Sequence, residues 1–501
     1  MGVKPLAAFV AALAVFSLAV IPAATTQQQE EIEWHKPVHF LGAQTVLVLL
    51  VEFSDVKIRV SARQVEQMVK AVDEFVRSSS YGKAWLEYQV HPNVITLPKP
   101  MSYYGAPKSG AQRGDDNAKI TEYHATIIKT AKERERIDIS KFKHILVVHA
   151  GKNEAVGGSV NNIWSHCLCV APRILHRLIE EFGFDVVESE LRKQGLGWVV
   201  DLYMHRGVGG AGHLVAGIET VAEDDSPAVV VHEFMHSMWL PDHYVYREDG
   251  YSAGSEVGVW TNMDYGPYLD PPVDVDGWSK HLLGWVKVVE VNKTGEYTIH
   301  TLDKPDEPHA LIIPINEREY YFLHARRPAG LDAALPAPGV LLFLINKYVQ
   351  TNVEGKEYFI RLLDANPATP RECVNVRQSA ARLCDGFDAP YYSEEGHRGR
   401  WTAFGRQWAI DLLKADYTTE EGVYIKVVEF SQADGTTRVL IRLDGVRTTT
   451  TTRETAEKPT EHSTEPYEDG YDSVFITLAV LITVLTLISA RRPAYRPRFR
   501  Q

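Results

Sequence analysis

Residues 228–240 read AVVVHEFMHSMWL, and this stretch decides how the rest of the chain is read. His232 and His236 stand four apart, so on a helix they project from one face, one turn from each other, and both imidazoles can reach a single metal ion. Glu233, beside the first histidine, then lies close enough to take a proton from water on that ion. Ala228, Val229, Val230 and Val231 upstream, with Met238, Trp239 and Leu240 downstream, predict that the helix is buried, which gives such chemistry a dry and rigid site. The competing reading is two ordinary histidines on a core helix. The residues after His236 weigh against it.

Two histidines need a third ligand. The next residues are Ser237-Met238-Trp239-Leu240-Pro241-Asp242-His243-Tyr244. Pro241 is poorly tolerated inside a helix, so the helix is expected to end near Trp239 or Leu240, and Asp242 or His243 can swing back towards the metal. Asp242 stands six residues past His236, the offset of the last ligand in the long metzincin signature, and is preferred. His243 is one alternative. A thermolysin-like glutamate, Glu248 or Glu256, is another, but Gly250 and Gly254 interrupt any helical periodicity there. Thr261-Asn262-Met263-Asp264-Tyr265-Gly266 resembles a Met-turn, with Met263 as an apolar floor below the ligands. Tyr265 stands where some metzincins place a tyrosine that stabilises an oxyanion; the plainer alternative is a surface turn with a buried methionine.

Outward from this helix the pattern alternates. Residues 45–53 (TVLVLLVEF) suit a buried strand, and Ser61 can cap a helix running to Val76 with Val65, Met68, Val69, Val72, Phe75 and Val76 on one face. Residues 118–134 predict a second amphipathic helix, 144–149 (HILVVH) a second buried strand, and 174–182 the opening of a third helix. Strands alternating with helices point to an α/β layer with the metal-binding helix packed beneath a sheet. Past Trp285 the segments 296–300, 320–324, 340–345, 358–362, 423–429 and 438–443 are short and β-branched or aromatic, a pattern that predicts a β-sandwich.

The termini carry sorting signals. Residues 5–22 are apolar behind Lys4 and end in Ala23-Ala24, the layout of a secretory signal peptide over residues 1–24. Residues 474–490 (VFITLAVLITVLTLISA) would span about 25 Å as a helix, enough for a membrane crossing, and five arginines in the tail 491–501 place that end in the cytoplasm. The threonine-rich segment 447–473 between them and the globular part reads as an extended stalk. The expected organisation is thus an α/β zincin-like catalytic domain over 25–286, a β-sandwich domain over 287–446 and a single C-terminal transmembrane helix. That makes a cell-surface, single-pass protein with its ectodomain outside. Net charge is −12, or −17 without the five tail arginines, which argues against nucleic acid or anionic lipid as partners. Cys167 and Cys169 are too close in sequence to pair without strain. The expected bridges are Cys373–Cys384 or cross-links from 167–169 to 373–384, with a four-cysteine zinc site as the rival.

The ordered landmarks resemble the secreted metallopeptidases of the immune inhibitor A type. They include Val51-Glu52-Phe53-Ser54-Asp55, Ser80-Tyr81-Gly82-Lys83, His149-Ala150-Gly151 with Glu154, and Ile163-Trp164-Ser165-His166. They continue through HEFMH with Leu240-Pro241-Asp242, the turn at 260–266, Lys280-His281-Leu282-Leu283-Gly284-Trp285, and residues 320–335 and 338–341. The resemblance implies hydrolysis of protein or peptide substrates by Zn²⁺ held on His232, His236 and Asp242. Glu233 would be the general base, and zinc with Tyr265 would stabilise the oxyanion. The family usually has glycine at the position of Trp239, where the chain leaves the helix, and tryptophan tolerates a left-handed backbone badly. His149, Glu154, His166 and the carboxylates Asp264, Asp270, Asp274 and Asp276 suggest a Ca²⁺ site, against the alternative of solvated acidic loops. Asn292-Lys293-Thr294 is a lone glycosylation sequon. The contrasting functional reading is a catalytically inactive, anchored surface protein that binds other envelope components.

Overall fold

The computed structural model describes residues 33–107, 114–155, 157–247, 252–269, 271–363, 397–403, 406–412 and 416–443. The segments 1–24, 447–473, 474–490 and 491–501, together with Cys373, Cys384, Glu248 and Asp270, lie outside them.

The first sheet carries the site. Its strands are β1 (Gly42–Glu52), β2 (Ala84–Thr96), β3 (His144–His149), β4 (His166–Leu168) and β5 (Gly217–Ala222), in the order β2-β1-β3-β5-β4. All pairs are parallel except β4 against β5. The unbroken apolar run of β1 follows from burial on both faces. Val46, Val48 and Leu50 enter one core, and Leu47, Leu49 and Val51 enter another on the opposite side of the sheet.

Helix α1 (Ala62–Ser79) begins at the expected cap: Ser61 accepts from the Gln64 N–H, and the Gln64 side chain reaches back to the Ser61 N–H. It buries Val65, Val69, Val72, Phe75 and Val76 against the first core. Helix α2 (Asn117–Glu133), capped by Asp116, covers the other face with Ile120, Tyr123, Ile127 and Ile128. Helix α3 (Val170–Phe182) begins four residues ahead of the expected start. Helix α4 (Pro227–Ser237) holds the histidines. It opens with proline in its first turn and with Ser226 accepting from the Val229 N–H.

The strand segments expected past Trp285 all form, but they do not make the architecture that their spacing suggests. They build a five-stranded sheet (Val288–Glu290, Ala310–Pro314, Glu319–Arg326, Gly339–Asn346, Ile360–Leu362) and a four-stranded one (Gly295–His300, Thr436–Arg442, Tyr424–Phe430, Asp416–Thr418). Ile299, Leu311, Phe322 and Leu341 from these sheets share one continuous core with Val230, Phe234 and Met263 of the helical layer. Helix α5 (Gly277–Leu282) joins the two: Trp278 and Leu282 are buried in that core, and a Cβ on Gly277 would lie 2.9 Å from the His324 Cβ.

The expectation of an α/β zincin-like domain followed by a separate β-sandwich is therefore corrected, and the membrane helix expected over 474–490 lies outside the described residues. The described residues form a mixed α/β body with several sheets, compact from Trp34 onward. None of their helices is long and apolar enough to cross a membrane. The later sheets merge with the helical layer because they share this core, and two buried ion pairs add to the junction. Lys280 Nζ lies 2.6 Å from Asp274, and Arg326 grips Asp332 while donating to the Trp260 carbonyl.

Of the expected bridges, the cross-links from 167–169 to 373–384 are not formed, and Cys373–Cys384 lies outside the described residues. Cys167 and Cys169 are paired with each other, their Cα atoms 5.5 Å apart, within the ordinary span for a bridge. The chain makes this approach possible by turning from β4 into α3 between them.

Where β5 meets α4 the contact is close. A Cβ built on Gly217 would meet the Ser237 hydroxyl and lie 2.9 Å from the Ser237 Cα. Gly217→Ala is therefore expected to destabilise the protein by about 1–3 kcal/mol through overpacking. Chemical denaturation checks this, and an unchanged midpoint would show that helix and strand have room to part.

Candidate metal centre

The helix that presents the two histidines ends at Ser237, ahead of the expected Trp239 or Leu240. Its cap is Met238, and Trp239 follows with φ of 66°, in the left-handed region. The tryptophan itself adopts the strained conformation. Its surroundings hold it there. The indole Nε1–H donates to the Ala216 carbonyl at 2.8 Å, Phe40 meets the ring edge-on at 5.2 Å, and Arg173 donates to the Trp239 carbonyl at 3.1 Å.

That turn brings back what the site needs. His236 Nδ1 bonds the Leu240 carbonyl at 2.7 Å, and Asp242, two residues on, points its Oδ1 at both imidazoles. His232 Nδ1 bonds the Asn262 carbonyl, in the turn that carries Met263, at 2.8 Å. A carbonyl oxygen only accepts, so each Nδ1 carries a proton, and in the neutral imidazole each Nε2 presents a lone pair. The two Nε2 atoms lie 3.2 Å apart, with Asp242 Oδ1 at 3.2 Å from the first and 3.1 Å from the second. Three electron-pair donors thus converge, and buried Asp242 Oδ1 has no hydrogen-bond partner. A tetrahedral ion with bonds of about 2.0–2.1 Å separates its ligands by about 3.3–3.4 Å, so the triangle has the right size for a zinc-like cation. Among the described residues this is the one group of three His, Cys, Asp or Glu side chains close enough to share a metal ion.

Glu233 is 7% exposed, beside the triangle. Burial pushes its carboxyl up to about 8, His232 opposes the rise, and Asp242 and Asp225 add to it. Burial also disfavours ionisation of Asp242, but the two imidazoles outweigh it and hold that carboxyl well below the usual range.

The alternative ligands are placed elsewhere. His243 is fully buried and turned to Asp276, its Nδ1 3.3 Å from Oδ2. Glu256 uses its N–H to bond Asp264 and is outside the three-residue group. Tyr265 opens a short 3-10 turn; its ring packs on the core edge and its N–H donates to the Gly258 carbonyl.

The residues that suggested calcium are engaged individually. Asp264 accepts from Ser255 and from the N–H groups of Glu256, Val257 and Gly258. Asp276 caps α5 and bonds Thr261, fixing the methionine turn. Asp274 pairs with Lys280. Glu154 accepts from the Gly114 N–H, and His166 meets His124 at 2.9 Å, Nε2 to Nε2. His149 directs Nδ1 to the Ala150 carbonyl.

Two phenols escaped the sequence reading. Tyr246 donates to Asp242 Oδ2, and its oxygen lies 3.1 Å from the Tyr244 hydroxyl. The legible signal was their spacing: Asp242, Tyr244 and Tyr246 alternate, as side chains do on one face of an extended segment.

No protein-family model matches the chain, and no curated protein matches it significantly.

The turn at Trp239 allows a decision by magnitude. Left-handed backbone costs a tryptophan about 1–2 kcal/mol relative to glycine, whereas deleting a buried indole costs about 3–5 kcal/mol. Trp239→Gly is expected to lower stability by about 1–4 kcal/mol, read from the denaturation midpoint. A stabilised variant would show that strain outweighs the indole contacts.

Proposed function

We propose that the protein is a zinc-dependent endopeptidase acting on protein or peptide substrates, in the extracytoplasmic setting that residues 1–24 lead one to expect. The observation that carries this reading is the convergence of the two Nε2 lone pairs and Asp242 Oδ1, each 3.1–3.2 Å from the others, with a buried carboxyl alongside. Two imidazoles and one carboxylate suit zinc, and three protein ligands leave a fourth position for water or substrate, as catalytic sites require. The resemblance of the ordered motifs to the immune inhibitor A type supports the same chemistry.

Bound there, zinc would supply Lewis acidity, lowering the pKa of a water molecule and polarising a carbonyl. The protein's own groups do the rest. His232 and His236 are locked in the metal-binding tautomer by backbone carbonyls, so no reorientation is needed. Glu233, buried one residue from His232, is the proposed group that accepts a proton from the attacking water and returns it to the leaving amine. Tyr265 is the proposed donor to the developing oxyanion.

Glu233→Gln is expected to retain stoichiometric zinc while casein hydrolysis falls on the order of 10²–10⁴-fold. Undiminished hydrolysis in that variant would remove Glu233 from the mechanism. A strong chelator should abolish hydrolysis, and added zinc should restore it. Activity indifferent to chelation, in protein shown by metal analysis to be zinc-free, would end the zinc reading.

A further inference from the structure

Resting on the reading of the centre as a zinc site, we propose that Tyr246, backed by Tyr244, is the positioning residue that restricts Asp242 to a single ligand oxygen. A carboxylate can meet a cation through one oxygen or through both, and nothing in Asp242 itself selects between them. Its surroundings do. Oδ1 faces the imidazoles without a hydrogen-bond partner, whereas Oδ2 accepts the Tyr246 hydroxyl. Such a charge-assisted bond is stronger than one between neutral groups, so turning Oδ2 towards a cation would forfeit it.

The phenol is held by rigid surroundings. Tyr246 lies on a two-residue strand whose N–H donates to the Asn352 carbonyl at 2.9 Å and whose carbonyl accepts from Glu354 at 2.8 Å. Asn352 is itself fully buried, donating to the His243 carbonyl and accepting from the Phe359 N–H. The neighbouring Tyr244 ring lies 4.9 Å from the Tyr246 ring. A phenol has one proton; Tyr246 commits its own to Asp242, so Tyr244 supplies the proton of the 3.1 Å link between the hydroxyls. The order is Tyr244 to Tyr246 to Oδ2, with each donor strengthening the next.

The test is a competition titration of the full-length protein with zinc and a chelator of known affinity, using Tyr246→Phe, Tyr244→Phe and the double variant. Phenylalanine keeps both rings and deletes only the hydroxyls. Tyr246→Phe is expected to raise the zinc Kd on the order of 10–100-fold, as loss of a partner behind a ligand does elsewhere. Tyr244→Phe should raise it less, and the double variant should match Tyr246→Phe, because Tyr244 acts through Tyr246. Cobalt-substituted protein gives an independent readout: in Tyr246→Phe the visible bands should weaken as Oδ2 becomes free to bind and the coordination number rises. An unchanged Kd with unchanged cobalt bands would overturn the inference and leave the zinc centre standing. Should Tyr246→Phe fail to fold, an unchanged Kd in Tyr244→Phe would overturn the relay. Wild-type protein that takes up no zinc would overturn both this inference and the reading beneath it.

Discussion

Two backbone carbonyls determine what this centre can do. Leu240 and Asn262 each accept a proton from an imidazole Nδ1, and by doing so turn both Nε2 lone pairs inward. Neither carbonyl belongs to the helix that bears the histidines. One lies just past its end and the other sits in the methionine turn, so the centre exists only where three separate pieces of chain are held in register. The buried core supplies that register: Val230, Phe234, Met235 and Met238 of the helix pack with Met263 and Trp260 of the turn.

The acidic residues around the turn serve the same end. Asp276 accepts from the N–H groups that open α5 and from the Thr261 hydroxyl, tying the helix to the methionine turn. Asp264 gathers three backbone N–H groups of the preceding loop with one carboxylate oxygen. Asp274 faces Lys280, which also donates to the Ser79 carbonyl at the end of α1. Each of these carboxylates replaces lost hydration with several directed donors, which is what makes its burial tolerable. These charges are thus used to join loops.

The local elements were legible because they depend on near neighbours. The capping box at Ser61 and the unbroken apolar run of β1 act over a few residues, and each left its mark in the chain. Asp242 was legible for the same reason, being one short turn from His236. The architecture was not, because the merging of the later sheets with the helical layer rests on contacts such as Gly277 against His324 and Arg326 against Trp260, which are far apart in sequence. Periodicity shows that a strand has a buried face; it does not show which element covers it. Pairing of Cys167 with Cys169 escaped for a different reason, the sharp turn from β4 into α3. The tyrosines behind Asp242 left a readable two-residue spacing, yet their importance appears only once the direction of the carboxylate is known.

The position of Trp239 joins these levels. A left-handed residue is needed there so that the Leu240 carbonyl can fold back onto His236 and Asp242 can reach the imidazoles. Glycine would meet that need without strain but would bring no contacts. Tryptophan accepts the strain and ties the turn to β5 through the Ala216 carbonyl and to the N-terminal segment through Phe40. The turn is thereby fixed from outside as well as from the helix. Because Leu240 and Asp242 both depend on it, the stiffness of one strained residue becomes the stiffness of two of the three metal-facing groups. A site whose donors must converge to about 3 Å while facing one another without a proton between them requires that stiffness, since any slack would let the lone pairs separate.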